Sequence, residues 1–372
     1  MAKKKRIYMD TAAGTPVDKR VIKAMLPYFS RDFGNPASIH QEGLWATKAV
    51  TEAKINIAKR LGVRADELIF TSGGTESNHL ALQISAGGWA LVSAIEHPSI
   101  LLSAPNLIKV PVDESGVIDL EEFKKLLNPD IKLVSVMYVN NEIGTIQPIR
   151  EIAKIIRHYK KTNKLTTNNY PYLHTDACQA TRFLDLFIPR LGLDLLTLNA
   201  AKIYGPKGVG LLYVRRGINL PRSGTENVPG IVGLARALEI ATAEKKKESK
   251  RLQILRQFFI KELKRISGVV INGESKENIP HIINATFPNI SAEQLVIELD
   301  AKGIAVSTGS ACAIVTRDES YVIMALGRSK REAQSSVRFS FSRDITKRDL
   351  KNVIKAISEV IKKYARDPVT KI

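Results

Sequence analysis

Short apolar runs alternate along this chain with longer stretches in which apolar residues recur at helical spacing. Residues 6–10, 67–71, 89–93, 108–110, 133–138, 172–174 and the run from Leu195 read as strands, each stopped by small or polar residues. Residues 17–28, 44–61, 120–127 and 149–159 read as helices; in the second, Ala46, Val50, Ala53, Ile57 and Leu61 share one face. The turn at residues 72–78 is followed by a helical stretch over 79–84. Past a loop at 221–230, the pattern predicts a long helix over 231–266, strands at 282–287 and 336–341, and helices at 292–301 and 347–364. Strands alternating with helices predict an α/β fold with a mostly parallel sheet. The long helix is expected to join a large domain, residues 15–245, to a smaller α+β domain made of residues 1–14 and 246–372.

Parallel sheets bind ligands at the carboxyl ends of their strands. Thr75, His97, Asn141, Asp176 and Lys202 all follow strand-like runs, which predicts that they converge. An isolated lysine before a turn is usually exposed. Lys202, however, follows an apolar strand and two alanines and precedes Gly205-Pro206-Lys207-Gly208. A desolvated amine there has a lowered pKa and can bond an aldehyde. The Ser72-Gly73-Gly74-Thr75 turn between a strand and a helix offers free N–H groups to an anion; plain helix capping explains the turn about as well. Its glycine spacing fits neither the P-loop nor the dinucleotide fingerprint. An aldehyde cofactor such as pyridoxal phosphate needs a lysine, a phosphate cradle, a carboxylate for its ring nitrogen and a ring cover. Lys202, Gly74 with Thr75, Asp176 and His97 supply those residue types.

Composition narrows the picture. Apolar residues make up 44% of the 372 positions and charged residues 25%, as in ordinary globular chains. No apolar run is long enough to span a bilayer, and basic Lys3-Lys4-Lys5-Arg6 lacks the apolar stretch of a secretory signal. Two cysteines, Cys178 and Cys312, make no disulfide framework, so a cytoplasmic protein is expected. The net charge of +19 suits an acidic partner or RNA, but no compact nucleic-acid motif accompanies it, and a generally basic surface is the expected reading.

Several of these stretches belong to a pattern. Thr71-Ser72-Gly73-Gly74-Thr75-Glu76-Ser77-Asn78, Glu96-His97-Pro98, Val139-Asn140-Asn141-Glu142-Ile143-Gly144, His174-Thr175-Asp176-Ala177-Cys178-Gln179, Lys202-Ile203-Tyr204-Gly205-Pro206-Lys207-Gly208, Arg222-Ser223-Gly224-Thr225, Gly309-Ser310-Ala311-Cys312 and Val337-Arg338-Phe339-Ser340 occur in this order. Together they resemble a cysteine desulfurase of the class V aminotransferase family over nearly the whole chain. The resemblance implies a pyridoxal-phosphate-dependent transferase fold of the aspartate aminotransferase type. It implies that Lys202 carries pyridoxal 5'-phosphate and shuttles protons, that Asp176 pairs with the ring nitrogen, and that Gln179 contacts the phenolic oxygen. It implies further that His97 stacks on the ring as acid and base, that Gly74 and Thr75 hold the phosphate, and that Thr225 reaches the phosphate of the other subunit in a homodimer. Arg338, assisted by Asn141, would fork onto the substrate carboxylate. Cys312 would be the nucleophile that takes sulfur from L-cysteine, leaving alanine. Its persulfide would pass to an acceptor protein, an iron–sulfur scaffold or a thiolation carrier. Cys178 is expected to lie buried beside the cofactor without a redox role.

The chain departs from the family pattern in two places. Asn199-Ala200-Ala201-Lys202 stands where the family has Ser-x-His-Lys. Asn199 can still donate to a phosphate, whereas Ala201 cannot, and one lost bond to a charged group costs about 1.5–3 kcal/mol. The glycine-rich segment that usually precedes Arg222 is missing. A selenocysteine lyase, an aminotransferase of the same family, or a non-catalytic binding member are the competing readings.

Overall fold

The computed structural model describes residues 6–103, 106–166, 169–221, 224–275, 277–309 and 319–366. Twelve strands are formed among them. The first is β1 (Ile7–Tyr8). Then come β2 (Leu68–Thr71), β3 (Trp89–Ser93), β4 (Leu107–Val110), β5 (Ile131–Ser135), β6 (Tyr172–Asp176), β7 (Leu195–Asn199) and β8 (Gly210–Val214). The C-terminal part adds β9 (Val270–Asn272), β10 (Ile282–Thr286), β11 (Ile304–Ala305) and β12 (Ser336–Ser340).

Seven strands make the central sheet, in the order β2-β8-β7-β6-β5-β3-β4. The pairs from β7 through β4 are parallel, while β8 runs antiparallel to both β7 and β2. The sheet is therefore mostly parallel, as the alternating pattern predicted. All five residues of β6 are buried, polar His174, Thr175 and Asp176 included, as in a parallel sheet covered on both faces. β8 was not anticipated, because Leu211, Leu212 and Val214 follow the Gly205–Gly208 turn that ended the preceding apolar run. Gly210 is required at its start: a Cβ there would lie 2.6 Å from the Gly73 carbonyl carbon and 2.8 Å from Thr71 Oγ1. That close approach presses the Gly73–Gly74 turn against β8.

A second sheet, β12-β10-β9, is antiparallel, and β1 pairs in parallel with β11. The helix Val228–Leu263 runs between the two regions, and its Leu234, Leu238, Leu252 and Phe259 join one apolar core with residues of both sheets. Most expected elements form with shifted ends. The helix expected over 17–28 is two pieces, Lys19–Met25 and Pro27–Ser30, because Pro27 lacks the N–H that would continue the first helix's ladder. The helix expected from His79 begins instead at Gly74 and ends at Leu82, so the glycine turn is its first turn. Among the described residues, no helix is long and apolar enough to cross a membrane.

Candidate active site

Asp176 ends β6, and Lys202 closes the short turn Ala200–Lys202 that follows β7, the next strand of the sheet. The strand-end rule thus brings the carboxylate and the amine to one edge. Asp176 is buried, and its two oxygens are held separately: the Cys178 backbone N–H donates to Oδ1 at 2.9 Å, and Asn78 Nδ2 donates to Oδ2 at 2.8 Å. Lys202 Nζ donates to the carbonyls of Ala12 at 2.8 Å and Ala13 at 2.7 Å. Burial pushes its pKa below the usual lysine range; the fields of Cys178 and Asp176 oppose that shift and that of Arg338 adds to it. This is the desolvated amine that the small neighbours of Lys202 predicted.

His97 caps the helix Pro98–Leu101, its Nδ1 accepting from the Ser99 N–H at 3.1 Å. Burial lowers its pKa, with Asp176 raising it and Lys202 lowering it further. Asn78 Nδ2 donates both to Asp176 Oδ2 and to Ser99 Oγ, which lies 2.8 Å from His97 Nδ1, so His97 and Asp176 share one site.

At the start of the helix Gly74–Leu82, the first-turn N–H groups have no partner within the helix. Gly74 is buried and Thr75 is exposed one residue on. A Cβ at Gly74 would lie 2.9 Å from Cys178 Sγ and 3.6 Å from Asn199 Nδ2. The Asn199 side-chain nitrogen therefore sits beside this N-terminus, while its Oδ1 accepts from the Ala201 N–H at 3.0 Å. Cys178 is buried and reduced, and burial beside Asp176 pushes its thiol well up. Such a thiol is a poor nucleophile at neutral pH, in keeping with a packing role.

The N-terminal segment and the small sheet close the other side. Gln179 Nε2 donates to the Ala12 carbonyl at 3.0 Å, the same oxygen that Lys202 uses. Arg338, in β12, is 2% exposed. It pairs with Asp10 at 2.8 Å and donates to the Asn141 carbonyl at 3.1 Å, and its Nε is buried without a partner among the described residues. Asn141 is buried too, and its Oδ1 has no partner among the described residues. Orphaned groups of this kind cost free energy unless something polar binds there. The Ser307 backbone pairs with Arg338, and a Cβ at Gly309 would stand 3.0 Å from Glu142 Oε2. Ser320 donates to that same oxygen at 2.6 Å. The chain thus enters and leaves the 310–318 segment at Glu142, next to Asn141. Cys312 itself lies outside the described residues. Thr225 is exposed beyond Asn199 in the sequence, and neighbouring Arg222 and Ser223 are also outside the described residues.

Asp10, Asn78, Ser99 and Glu142 touch the site's groups but had no role assigned from sequence. Asn78 and Glu142 fell inside the quoted motifs, which was the available signal. Asp10 and Ser99 carried none, since a short carboxylate after a strand and a serine after a proline are common.

A buried strand-end carboxylate, a desolvated lysine in the turn after the neighbouring strand and a glycine-bounded helix start make a site of the kind an aldehyde cofactor needs. The chain belongs to the class V aminotransferase family, whose model, "Aminotransferase class-V", matches residues 7–353. Enzymes of this family depend on pyridoxal phosphate in general. Within the family the chain stands with the cysteine desulfurases. It is 40% identical to the cysteine desulfurase IscS of Dictyoglomus turgidum, over 97% of this chain and 95% of the relative. A solved NifS-like protein superposes with a TM-score of 0.87 at 34% identity, covering 96% of this chain and all of the other. A structure titled "SspA in complex with cysteine" has a TM-score of 0.76 at 29% identity, over 91% of this chain and 99% of that one.

Proposed function

We propose that this protein is a cysteine desulfurase that uses pyridoxal phosphate to take sulfur from L-cysteine, releasing alanine. The observation that carries the reading is the meeting of the Lys202 amine, the doubly held Asp176 carboxylate and the Arg338 guanidinium with its unpartnered Nε. The residues present fit the cofactor. Lys202 would hold it, Asp176 would face its ring nitrogen, and His97 would cover the ring. Gly74, Thr75 and the Asn199 amide would receive its phosphate, with Thr225 adding to the site of a partner subunit. When bound, pyridoxal phosphate supplies an electron sink next to the substrate α-carbon.

The chain's own groups then divide the work. Arg338, steadied by Asp10, orients the substrate carboxylate, and Asn141 closes beside it. The buried Lys202 Nζ, easily made neutral, takes and returns protons. Gln179, whose amide donates to the Ala12 carbonyl, would contact the cofactor's phenolic oxygen. Cys312 attacks the substrate sulfur as thiolate: an S–S bond forms, the carbon–sulfur bond breaks, and the carbon that loses sulfur takes a proton to become the methyl group of alanine. The Cys312 persulfide passes to an acceptor protein, in a cytoplasmic setting.

A homodimer completes the reading. Leu26, Phe29, Phe33, Ile39, Leu44 and Trp45 are all exposed within one short stretch, more apolar surface than a lone subunit normally shows. Residues 15–245 are assigned to the large domain and 1–14 with 246–372 to the small one, since every strand of the central sheet precedes Arg215 and β9, β10 and β12 follow Val269. The test is alanine formation from L-cysteine by the cofactor-loaded protein. Cys312→Ala should abolish it while leaving the cofactor's visible absorption intact. 3-Mercaptopyruvate formed from L-cysteine in place of alanine, and still formed without that thiol, would point to a transaminase instead.

A further inference from the structure

Ile203 and Tyr204, the two residues after Lys202, line a small cavity that the desulfurase reading does not use. Its volume is about 20 Å³, room for one water-sized species, and Arg182, Lys245 and Arg343 also line it. We infer that this cavity binds one small inorganic anion, chloride, on the Arg182 guanidinium. The inference goes beyond the desulfurase reading and does not rest on it.

Arg182 is 8% exposed, and its Nη1 is buried with no partner among the described residues. A guanidinium keeps its proton inside a protein, so Arg182 cannot relieve its burial by turning neutral, as a lysine or a carboxyl group can. Burial works against its charge; Tyr204 and Glu248 favour the charge, and Arg343 and Arg251 oppose it. Its Cζ lies 4.8 Å from the ring centroids of both Phe183 and Tyr204. Those ring faces attract the cation but give Nη1 no acceptor. A water in the cavity would accept from Nη1 and bring no charge. An anion brings both the acceptor and the countercharge that a buried cation requires.

The carboxylates beside the cavity are already paired with other cations. Both oxygens of Glu248 accept from Arg251, at 3.0 and 2.9 Å. Glu244 pairs with Arg20 at 2.8 Å, and Asp18 pairs with Arg20 and Arg343. Lys245 donates to the Leu184 carbonyl and not to a carboxylate. The cavity is thus left with positive charge that its own acids do not cancel. Its position also matters to the lysine turn. Arg343, just past β12, lies 3.6 Å over the Tyr204 ring, and its backbone N–H donates to the Tyr204 hydroxyl oxygen at 2.8 Å. Tyr204 has a φ of 61°, uncommon for a residue with a side chain. An anion on Arg182 braces that turn against the chain leaving β12.

The test uses the full chain, with sodium chloride as the probe. At constant ionic strength, replacing gluconate, which is too large for the cavity, by chloride should raise Tm by about 1–3 °C. Arg182→Gln should remove that rise. A second measurement needs no variant: crystals of the wild type grown in sodium bromide should show an anomalous peak within about 3.5 Å of Arg182 Nη1. No rise in the wild type, an equal rise in Arg182→Gln, or a water at that place with no bromide would each overturn the proposal.

Discussion

Three residues decide what this site can do, and each is set by its neighbours. Asp176 is held in place by Asn78 and the Cys178 N–H, which each donate to one of its oxygens. Asp176→Asn presents an amide to those two donors and removes the charge. Activity is expected to fall by more than about a hundredfold, measured as alanine release, with the fold kept by circular dichroism. Among the described residues, Arg338 has two side-chain bonds and one nitrogen without a partner. Arg338→Gln should raise KM for L-cysteine by about tenfold to a hundredfold, the range that a bond to a charged group spans, with a smaller change in kcat. Gly74 is glycine because Cys178 Sγ lies where its Cβ would be. Gly74→Ala should lower stability by about 1–3 kcal/mol through overpacking, and Cys178→Ala, which removes the sulfur, should recover most of it. A denaturant titration of the single and double variants measures that coupling.

At the scale of the elements, the central sheet carries its own pH dependence. His174 in β6 is fully buried, with Nδ1 on Ser135 Oγ at 2.8 Å and Nε2 on Thr197 Oγ1 at 3.0 Å, both on adjacent strands. Burial lowers its pKa to about 4. The unfolded chain protonates histidine near pH 6.5, so below that pH the unfolded state binds the extra proton and the folded state does not. Stability is therefore full above about pH 6.5 and falls as pH drops toward 4, by on the order of 3 kcal/mol from this group. His174→Gln should show a shallower loss between those pH values in urea titrations. Much of this element layer was legible beforehand: the alternating strands and helices, the parallel sheet and the strand-end position of Asp176 and Lys202 all follow from apolar runs and their stops. β8 was not, because its apolar residues follow a turn that resembled the end of the motif. The helix start at Gly74 was placed late, since glycines and hydroxyls score as turn although they make a first turn with free N–H groups. Ser99 and Asp10 were not legible as site residues, because their roles come from partners distant in the chain: Asn78 for one, Arg338 for the other.

Seen whole, the molecule joins the seven-stranded sheet to a small sheet whose β12 carries Arg338 across to the Asp10 carboxylate and the Asn141 carbonyl. The site is thus assembled from both ends of the chain. The exposed apolar stretch from Leu26 to Trp45 belongs to this scale as well. Sedimentation of the wild type should give twice the mass of one chain. Phe29→Asp with Phe33→Asp should halve it and weaken activity, if Thr225 serves the partner's site; a monomeric wild type with full activity would contradict that arrangement. The net charge of +19 is the remaining whole-molecule property, and it suits an acidic sulfur acceptor.

The central claim is that sulfur from the substrate comes to rest on one cysteine of this chain. Mass spectrometry of the peptide carrying Cys312, after a single turnover with L-cysteine and the loaded enzyme, tests it most directly. The account predicts one added sulfur atom on Cys312, none on Cys178, and one alanine released per modified chain, all absent in Lys202→Ala. Alanine without sulfur on Cys312, or sulfur appearing on Cys178 instead, would contradict it.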